Sequence, residues 1–235
     1  MSRKAVVLLS GGLDSTVTSY IARKDIGKTG KLYAITFEYG QRHAKEIDLA
    51  IDTAGTLGVT EHKIFSIELA DLVQSSLVIE GTTGESLQQV PTGPVAGIPS
   101  TWVPQRNSIF LALAFAYAEM MSADLVYTGF NVKDYSGYPD CRPEFVEKIQ
   151  QALNLASKQF VETGKGIGIA CPVMHKTKAE IIQIGLNLGV DFGRTWSCYQ
   201  GLEKACGVCP SCRIRLAAFR EVGIVDPVEY GGDKE

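Results

Sequence analysis

Ala5-Val6-Val7-Leu8-Leu9 runs without a break into Ser10-Gly11-Gly12-Leu13-Asp14-Ser15, and Thr16 to Arg23 continues in helix-compatible residues. An apolar, β-branched run of this length reads as a buried strand, so the two glycines mark a tight turn between that strand and a helix N-terminus. Such a junction is an anion site: the first-turn N–H groups have no helical partner and the helix dipole adds positive potential. Gly11 and Gly12 carry no Cβ and let the backbone approach phosphate oxygens. Ser10 and Ser15 add hydroxyl donors, and Asp14 can cap the helix or hold a metal-bound water. No G-x-x-x-x-G-K-[ST] occurs in the chain, so this is not a Walker loop. A glycine turn that only joins strand to helix is the competing reading.

The same alternation continues along the chain. Apolar runs at 5–9, 32–37, 63–67, 125–128 and 168–170 are separated by helical patterns at 14–24, 44–57, 107–121, 143–161 and 177–188. Strands alternating with helices predict an α/β fold, a Rossmann-like doubly wound parallel sheet covered on both faces. Ligands of such sheets sit beyond the carboxyl ends of the strands, where the loop at Ser10 falls. Two regions break the pattern. Residues 74–104 are rich in Gly, Thr, Ser and Pro and read either as a lid or as a plain surface insertion. Residues 195–212 carry most of the cysteines, which predicts two units: a nucleotide-binding α/β domain over 1–194 and a small zinc-binding subdomain over 195–235. The Gly- and charge-rich tail from Asp226 is expected to fray.

With 235 residues, 45% of them hydrophobic, the chain can bury one sizeable core. A formal charge of -3 argues against a large nucleic-acid footprint, which needs a basic face. The chain enters its first strand without an apolar leader, and no apolar run approaches the roughly 20 residues that span a bilayer. A cytoplasmic protein without a membrane anchor is expected. Its six cysteines then need a role other than disulfides.

Four of them, Cys198, Cys206, Cys209 and Cys212, fall within fifteen residues, the last three as C-G-V-C-P-S-C. Two successive C-x-x-C steps let thiolates converge on one ion, and Cys198 can return to complete a tetrahedron. Four sulfur ligands would saturate Zn²⁺ and leave no open position, so the role would be structural. An iron–sulfur cluster uses similar spacing and is the rival. Cys141 and Cys171 stand apart and read as small buried residues.

Further polar groups follow the predicted strands. Gln41, Arg42 and His43, after the second strand, either face a ligand or begin a solvated helix. The run N-V-K-D-Y-S-G-Y-P-D-C-R at 131–142 has the carboxylates, aromatics and arginine to hold a heterocycle bearing a carboxylate, or it is a structured turn. Arg106 could meet phosphate or simply be solvated. Lys176 and Lys178, just before a helix, could reach an α-phosphate.

The hexapeptide S-G-G-L-D-S is similar to the pyrophosphate loop of the PP-loop ATP pyrophosphatases. F-E-Y-G-Q-R-H at 37–43, V-P-Q-R-N at 103–107, D-Y-S-G-Y-P-D-C-R at 134–142, P-V-M-H-K-T-K-A-E-I at 172–181 and the cysteine quartet extend the likeness over most of the chain. Together these blocks resemble the 7-cyano-7-deazaguanine synthase family of queuosine biosynthesis. Gln105 stands where that family commonly has glycine, and Glu38 where it commonly has aspartate. The resemblance implies that ATP, 7-carboxy-7-deazaguanine and ammonia give the nitrile, AMP and pyrophosphate through adenylated acid and amide intermediates. It implies ATP binding by Leu9, Ser10, Gly11, Gly12, Leu13, Asp14, Ser15, Thr16, Val17, Thr18 and Ser19. Asp14, Arg106 and Lys178 would be catalytic, and Asp134, Tyr135, Asp140 and Arg142 would hold the substrate. One structural Zn²⁺ on the four cysteines, Mg²⁺ with ATP, and a homodimer without direct nucleic-acid contact complete the expectation. A PP-loop adenylating ligase for another carboxylate or a tRNA acceptor, and a zinc-ribbon binding module with an idle nucleotide fold, are the alternatives.

Overall fold

Five short strands pair side by side, and their order decides where a ligand can sit. A computed structural model of the chain describes residues 3–40, 44–69, 75, 98, 101–133, 138–200 and 202–231. The strands are β1 (Lys4–Leu8), β2 (Lys31–Glu38), β3 (Glu61–Ser66), β4 (Leu125–Tyr127) and β5 (Gly168–Ala170). They form one sheet in the order β3-β2-β1-β4-β5, with every pair parallel. The helices are α1 (Leu13–Ile26), α2 (Ala44–Thr56), α3 (Arg106–Met121), α4 (Pro143–Leu155), α5 (Lys158–Thr163), α6 (Lys178–Leu188) and α7 (Pro210–Val222).

Strand periodicity divides the core into two faces. Ala5, Val7, Leu9, Leu32 and Ala34 pack with Ala22 and Ile26 of α1 and Ala50 and Ala54 of α2. Val6, Tyr33, Ile35, Phe37 and Val126 face the other way, onto Leu111, Ala114, Phe115 and Ala118 of α3, with α4 outside them. Phe37 stacks on Phe110 with ring centroids 4.1 Å apart. Fully buried Leu9, Leu32 and Ile35 each contribute about 1.5–3 kcal/mol of burial free energy. The chain winds outward through β2 and β3 and then crosses to the other side of β1, so the turns after β1 and β4 diverge from a switch point. The doubly wound parallel sheet anticipated from the alternation is the fold observed.

Three expectations need correction. The helical pattern over 143–161 is two helices, because Ser157 ends the first and caps the second, its side chain accepting the Phe160 N–H. Helix α7 was not anticipated; it packs on α6, and Ala218 and Phe219 join Leu13, Val17, Ile181 and Ile182 in a third cluster outside α1. The tail from Asp226 does not fray where it is described. Asp226 is buried, Tyr230 bridges to Ala205, and the Gly231 N–H donates to the Ala205 carbonyl at 2.8 Å. Most of residues 74–104, proposed as lid or insertion, lie outside the described residues. Among the described residues, no helix is long and apolar enough to cross a membrane.

Candidate active site

The turn after β1 is shaped by what it touches. Gly11 holds φ +82, and a Cβ there would lie 2.1 Å from the carbonyl oxygen of Glu46 on α2. Across the switch point, a Cβ on Gly129 would lie 2.9 Å from the Ser15 nitrogen. Both positions therefore require glycine, one from each arm of the crevice. Inside the turn, the Ser10 N–H donates to Ser15 Oγ (3.1 Å), the two hydroxyls lie 2.9 Å apart, and Ser15 Oγ donates to the Gly12 carbonyl (3.0 Å). These bonds fix the loop before any ligand arrives. Gly12, not Asp14, occupies the N-cap of α1. Asp14 lies in the first turn of the helix, and Lys178 Nζ, at the start of α6, reaches both of its carboxylate oxygens at 2.7 Å.

The loop forms one wall of a cavity of about 320 Å³, bounded also by Thr128 to Asn131, Tyr39, Glu46, Arg106, Tyr138, Lys178 and Trp196. Arg106 enters it from an uncommon turn. Gln105, at the N-cap of α3, holds the left-handed conformation (φ 59, ψ 7), where a side chain costs about 1 kcal/mol and glycine costs little. The guanidinium donates to Tyr39 Oη at 3.3 Å and sits 5.7 Å from the Tyr39 ring centre. Burial opposes its charge, but Tyr39, Tyr138, Cys141 and Asp140 raise its pKa, so it stays a cation. Glu46 is the reverse case. Burial lifts its carboxyl to about 8, and the opposing pull of Arg106 does not restore it. Burial, reinforced by Asp140, raises the Cys141 thiol to about 12, and burial raises Cys171 to about 12 as well. Neither thiol is a nucleophile at neutral pH.

Beyond the cavity the four cysteines converge. Their sulfurs all lie within 4.8 Å of one another, and the Cys206 and Cys212 sulfurs are 3.9 Å apart. A tetrahedral ion with about 2.3 Å metal–sulfur bonds needs sulfurs about 3.8 Å apart, so the set fits one ion. The N–H groups of Gln200 and Cys206 donate to Cys198 Sγ, and that of Cys209 to Cys206 Sγ. Without a cation the crowded thiols cannot all ionise: Cys198 and Cys212 push Cys209 down, Cys209 pushes Cys198 up, and Cys198 and then Cys209 push Cys212 up. A divalent ion resolves that conflict.

This cluster is tied to the glycine turn after β1. The Trp196 N–H donates to the Gly11 carbonyl at 3.0 Å, its indole N–H donates to the Cys198 carbonyl at 3.0 Å, and Lys45 Nζ sits 4.4 Å from its ring centre. The flanking residues are clamped by Arg215, 2% exposed, on α7. Its guanidinium donates to both oxygens of buried Asp226 (2.7 and 2.9 Å), to Thr195 Oγ1 (2.8 Å) and to the Phe192 carbonyl (2.9 Å).

A family model described as "Queuosine biosynthesis protein QueC" matches residues 4–223. The chain belongs to this family. It is 46% identical over 228 residues to the 7-cyano-7-deazaguanine synthase of Trichodesmium erythraeum (strain IMS101), covering 96% of this chain and 99% of that one. The 7-cyano-7-deazaguanine synthase of Pseudomonas aeruginosa (strain LESB58) is 47% identical over 230 residues, covering 97% and 98%. In fold, the chain is similar to NMN synthetase from Francisella tularensis, with a TM-score of 0.50 at 14% identity, over 95% of this chain and 78% of that one.

In this chain the structure brings Leu9, Ser10, Gly12, Leu13, Asp14, Ser15, Arg106 and Lys178 to one cavity. Thr16, Val17, Thr18 and Ser19 are buried inside α1, where they build the helix and do not line the cavity. Asp140 differs from expectation. Its Oδ1 accepts the Trp102 indole N–H and its Oδ2 the Asn107 N–H, so this 6%-exposed carboxylate serves the entry to α3. Arg142 precedes Pro143 at the N-cap of α4 and is exposed, away from the cavity. Lys176 also faces solvent, 3.6 Å from Glu180. Asp134, Tyr135, Gln41, Arg42 and His43 lie outside the described residues. Sequence reasoning missed Glu46, Thr128, Gly129 and Trp196; the Glu three residues after His43 was the available signal for the first.

Proposed function

We propose that the chain makes 7-cyano-7-deazaguanine from 7-carboxy-7-deazaguanine, ammonia and ATP, releasing AMP and pyrophosphate. The observation that carries this reading is a preformed, glycine-dependent anion turn in one cavity with Arg106 and Lys178, in a chain that matches 7-cyano-7-deazaguanine synthases from end to end. A carboxylate is a poor electrophile, so its oxygen must first attack the α-phosphate of ATP, with pyrophosphate leaving. Ser10 to Ser15 and the first-turn amides of α1 grip the β- and γ-phosphates. Arg106 and Lys178 neutralise charge that develops around the α-phosphate, and Asp14 holds Lys178 in place. Ammonia then displaces AMP to give the amide. The amide oxygen attacks a second ATP, and loss of AMP with the remaining amide protons leaves the nitrile.

Asp134 and Tyr135 are the substrate contacts we retain. A carboxylate there suits the adjacent N–H donors of a guanine-like edge. Mg²⁺ accompanying ATP would shield the phosphates, and the Asp14 carboxylate, held by Lys178, would meet it through a metal-bound water. For the four cysteines we favour zinc: their mutual spacing suits a single ion better than a multi-iron cluster, which holds its cysteines farther apart. In this reading residues 195–235 form a metal-held segment that braces the turn through Trp196 on a catalytic body of residues 1–194. A homodimer in the cytoplasm is the proposed assembly and compartment; the free cysteines suit a reducing compartment. Pyrophosphate release should depend on added 7-carboxy-7-deazaguanine. Release that ignores this acid and responds to another acceptor would overturn the assignment.

A further inference from the structure

Two carboxylates line the cavity among the described residues, Asp14 and Glu46, and they are held differently. Both oxygens of Asp14 are engaged by Lys178. Glu46 accepts no hydrogen bond from a described residue; burial and the charge of Arg106 are what act on it. Its backbone is fixed hard against the phosphate turn, because its carbonyl occupies the space a Cβ on Gly11 would need. A largely desolvated carboxylate that takes no donor from the described residues is costly to maintain unless a ligand meets it. Arg106 from α3, Lys178 from α6, Asp14 from α1, Tyr39 after β2, Tyr138 and Cys141 before α4, and Tyr199 beside the cysteines are the other ionisable lining groups. Bound phosphates would draw the two cations among them and leave Glu46 to face an incoming positive ion.

We infer that Glu46 forms the ammonium site: its carboxylate holds ammonium beside the acyl-adenylate and accepts its proton. This rests on the activity proposed above. Ammonium has no lone pair and cannot attack; transfer of one proton to Glu46 Oε frees ammonia. The nitrogen lone pair forms the C–N bond, and the bond from the acyl carbon to the phosphate oxygen breaks with AMP keeping the electron pair. The excess proton on the new amide nitrogen passes to the departing AMP phosphate, and Glu46 returns its proton to solvent. Burial would leave Glu46 protonated near neutral pH, with a pKa of about 8; ammonium beside it favours the ionised carboxylate, whose raised basicity then suits the transfer.

Glu46→Gln separates this role from the rest. Acid-dependent ATP–pyrophosphate exchange, run without ammonium, should persist in the variant. Amide formation at fixed ammonium near neutral pH should fall about a hundredfold, with a raised KM for ammonium. Hydroxylamine, largely unprotonated at that pH, should still give hydroxamate at close to the wild-type rate. The ammonium defect should shrink as pH rises and free ammonia accumulates. Should melting show that Glu46→Gln does not fold, Glu46→Asp is read instead, with a raised ammonium KM and unchanged hydroxylamine use expected. Normal ammonium use, or equal loss with both nucleophiles, overturns the inference. Absence of exchange in the wild type overturns the activity reading and this inference with it.

Discussion

Replacing Arg215 with Met keeps most of the side-chain volume but removes the cation that clamps Asp226, Thr195 and Phe192 around the cysteine segment. Asp226 stays buried, with the Tyr230 hydroxyl and the Val228 N–H as its remaining donors among the described residues. Breaking a buried pair by deleting one partner costs about 3–5 kcal/mol, because the other charge is left uncompensated. For a chain of this size that lowers Tm by about 6–20 °C. Removing both charges, in Arg215→Met with Asp226→Leu, should recover much of the loss, since a buried pair contributes little over well-packed apolar groups. ATP affinity should not recover with it. Thr195 and Ser197 flank Trp196, whose N–H holds the Gly11 carbonyl, so the double variant is expected to fold with a looser phosphate turn. Thermal melting and calorimetric ATP titration read the two effects separately. A single variant melting within about 2 °C of wild type, or a double variant no more stable than the single, would refute this reasoning.

Gly11→Ala puts a Cβ 2.1 Å from the Glu46 carbonyl at φ +82, and should cost about 2–4 kcal/mol and most nucleotide binding, read by melting and titration. Gln105→Gly relieves the left-handed turn before Arg106 and should stabilise by about 0.5–1 kcal/mol, against which any fall in Tm would count. Glu46 has a folded-state pKa of about 8 against 4.5 for the free group, so the folded state binds the extra proton between these values. Stability should therefore fall as pH rises through that window, with a limiting slope of about 1.4 kcal/mol per pH unit, and Glu46→Gln should flatten it. Cys206→Ser should release the metal and lower Tm, and elemental analysis of the parent protein should find about one zinc per chain; abundant iron would overturn the zinc assignment.

The sheet was legible because its strands carry apolar runs that end in turn signals, and β1, β2 and β4 bury theirs. Boundaries differ from expectation by a residue or two, as at β1, where 5–9 became Lys4–Leu8. Helix α7 was hidden by its composition. Pro210, Cys212, Arg213 and Arg215 interrupt an apolar stripe whose partner is α6, not the sheet. The glycine turn after β1 and the convergence of the four cysteines were legible because both are local, with all their residues close in sequence. Asp140 and Arg142 were not, because a short polar run does not say which member turns inward. Asp140 turned in to cap α3, and Arg142 was left outside by Pro143. Glu46 looked like one more charge on a solvated helix; only the crossover after β2 brings it over the turn at Gly11.

The central claim is a nitrile made from a carboxylic acid at this cavity. Mass-spectrometric analysis of the products from 7-carboxy-7-deazaguanine, ATP, Mg²⁺ and isotope-labelled ammonium tests it most directly. The expected product is 7-cyano-7-deazaguanine with the label in its nitrile nitrogen, accompanied by AMP and pyrophosphate. Recovery of unchanged acid with no AMP, from folded and metal-loaded protein, would contradict it.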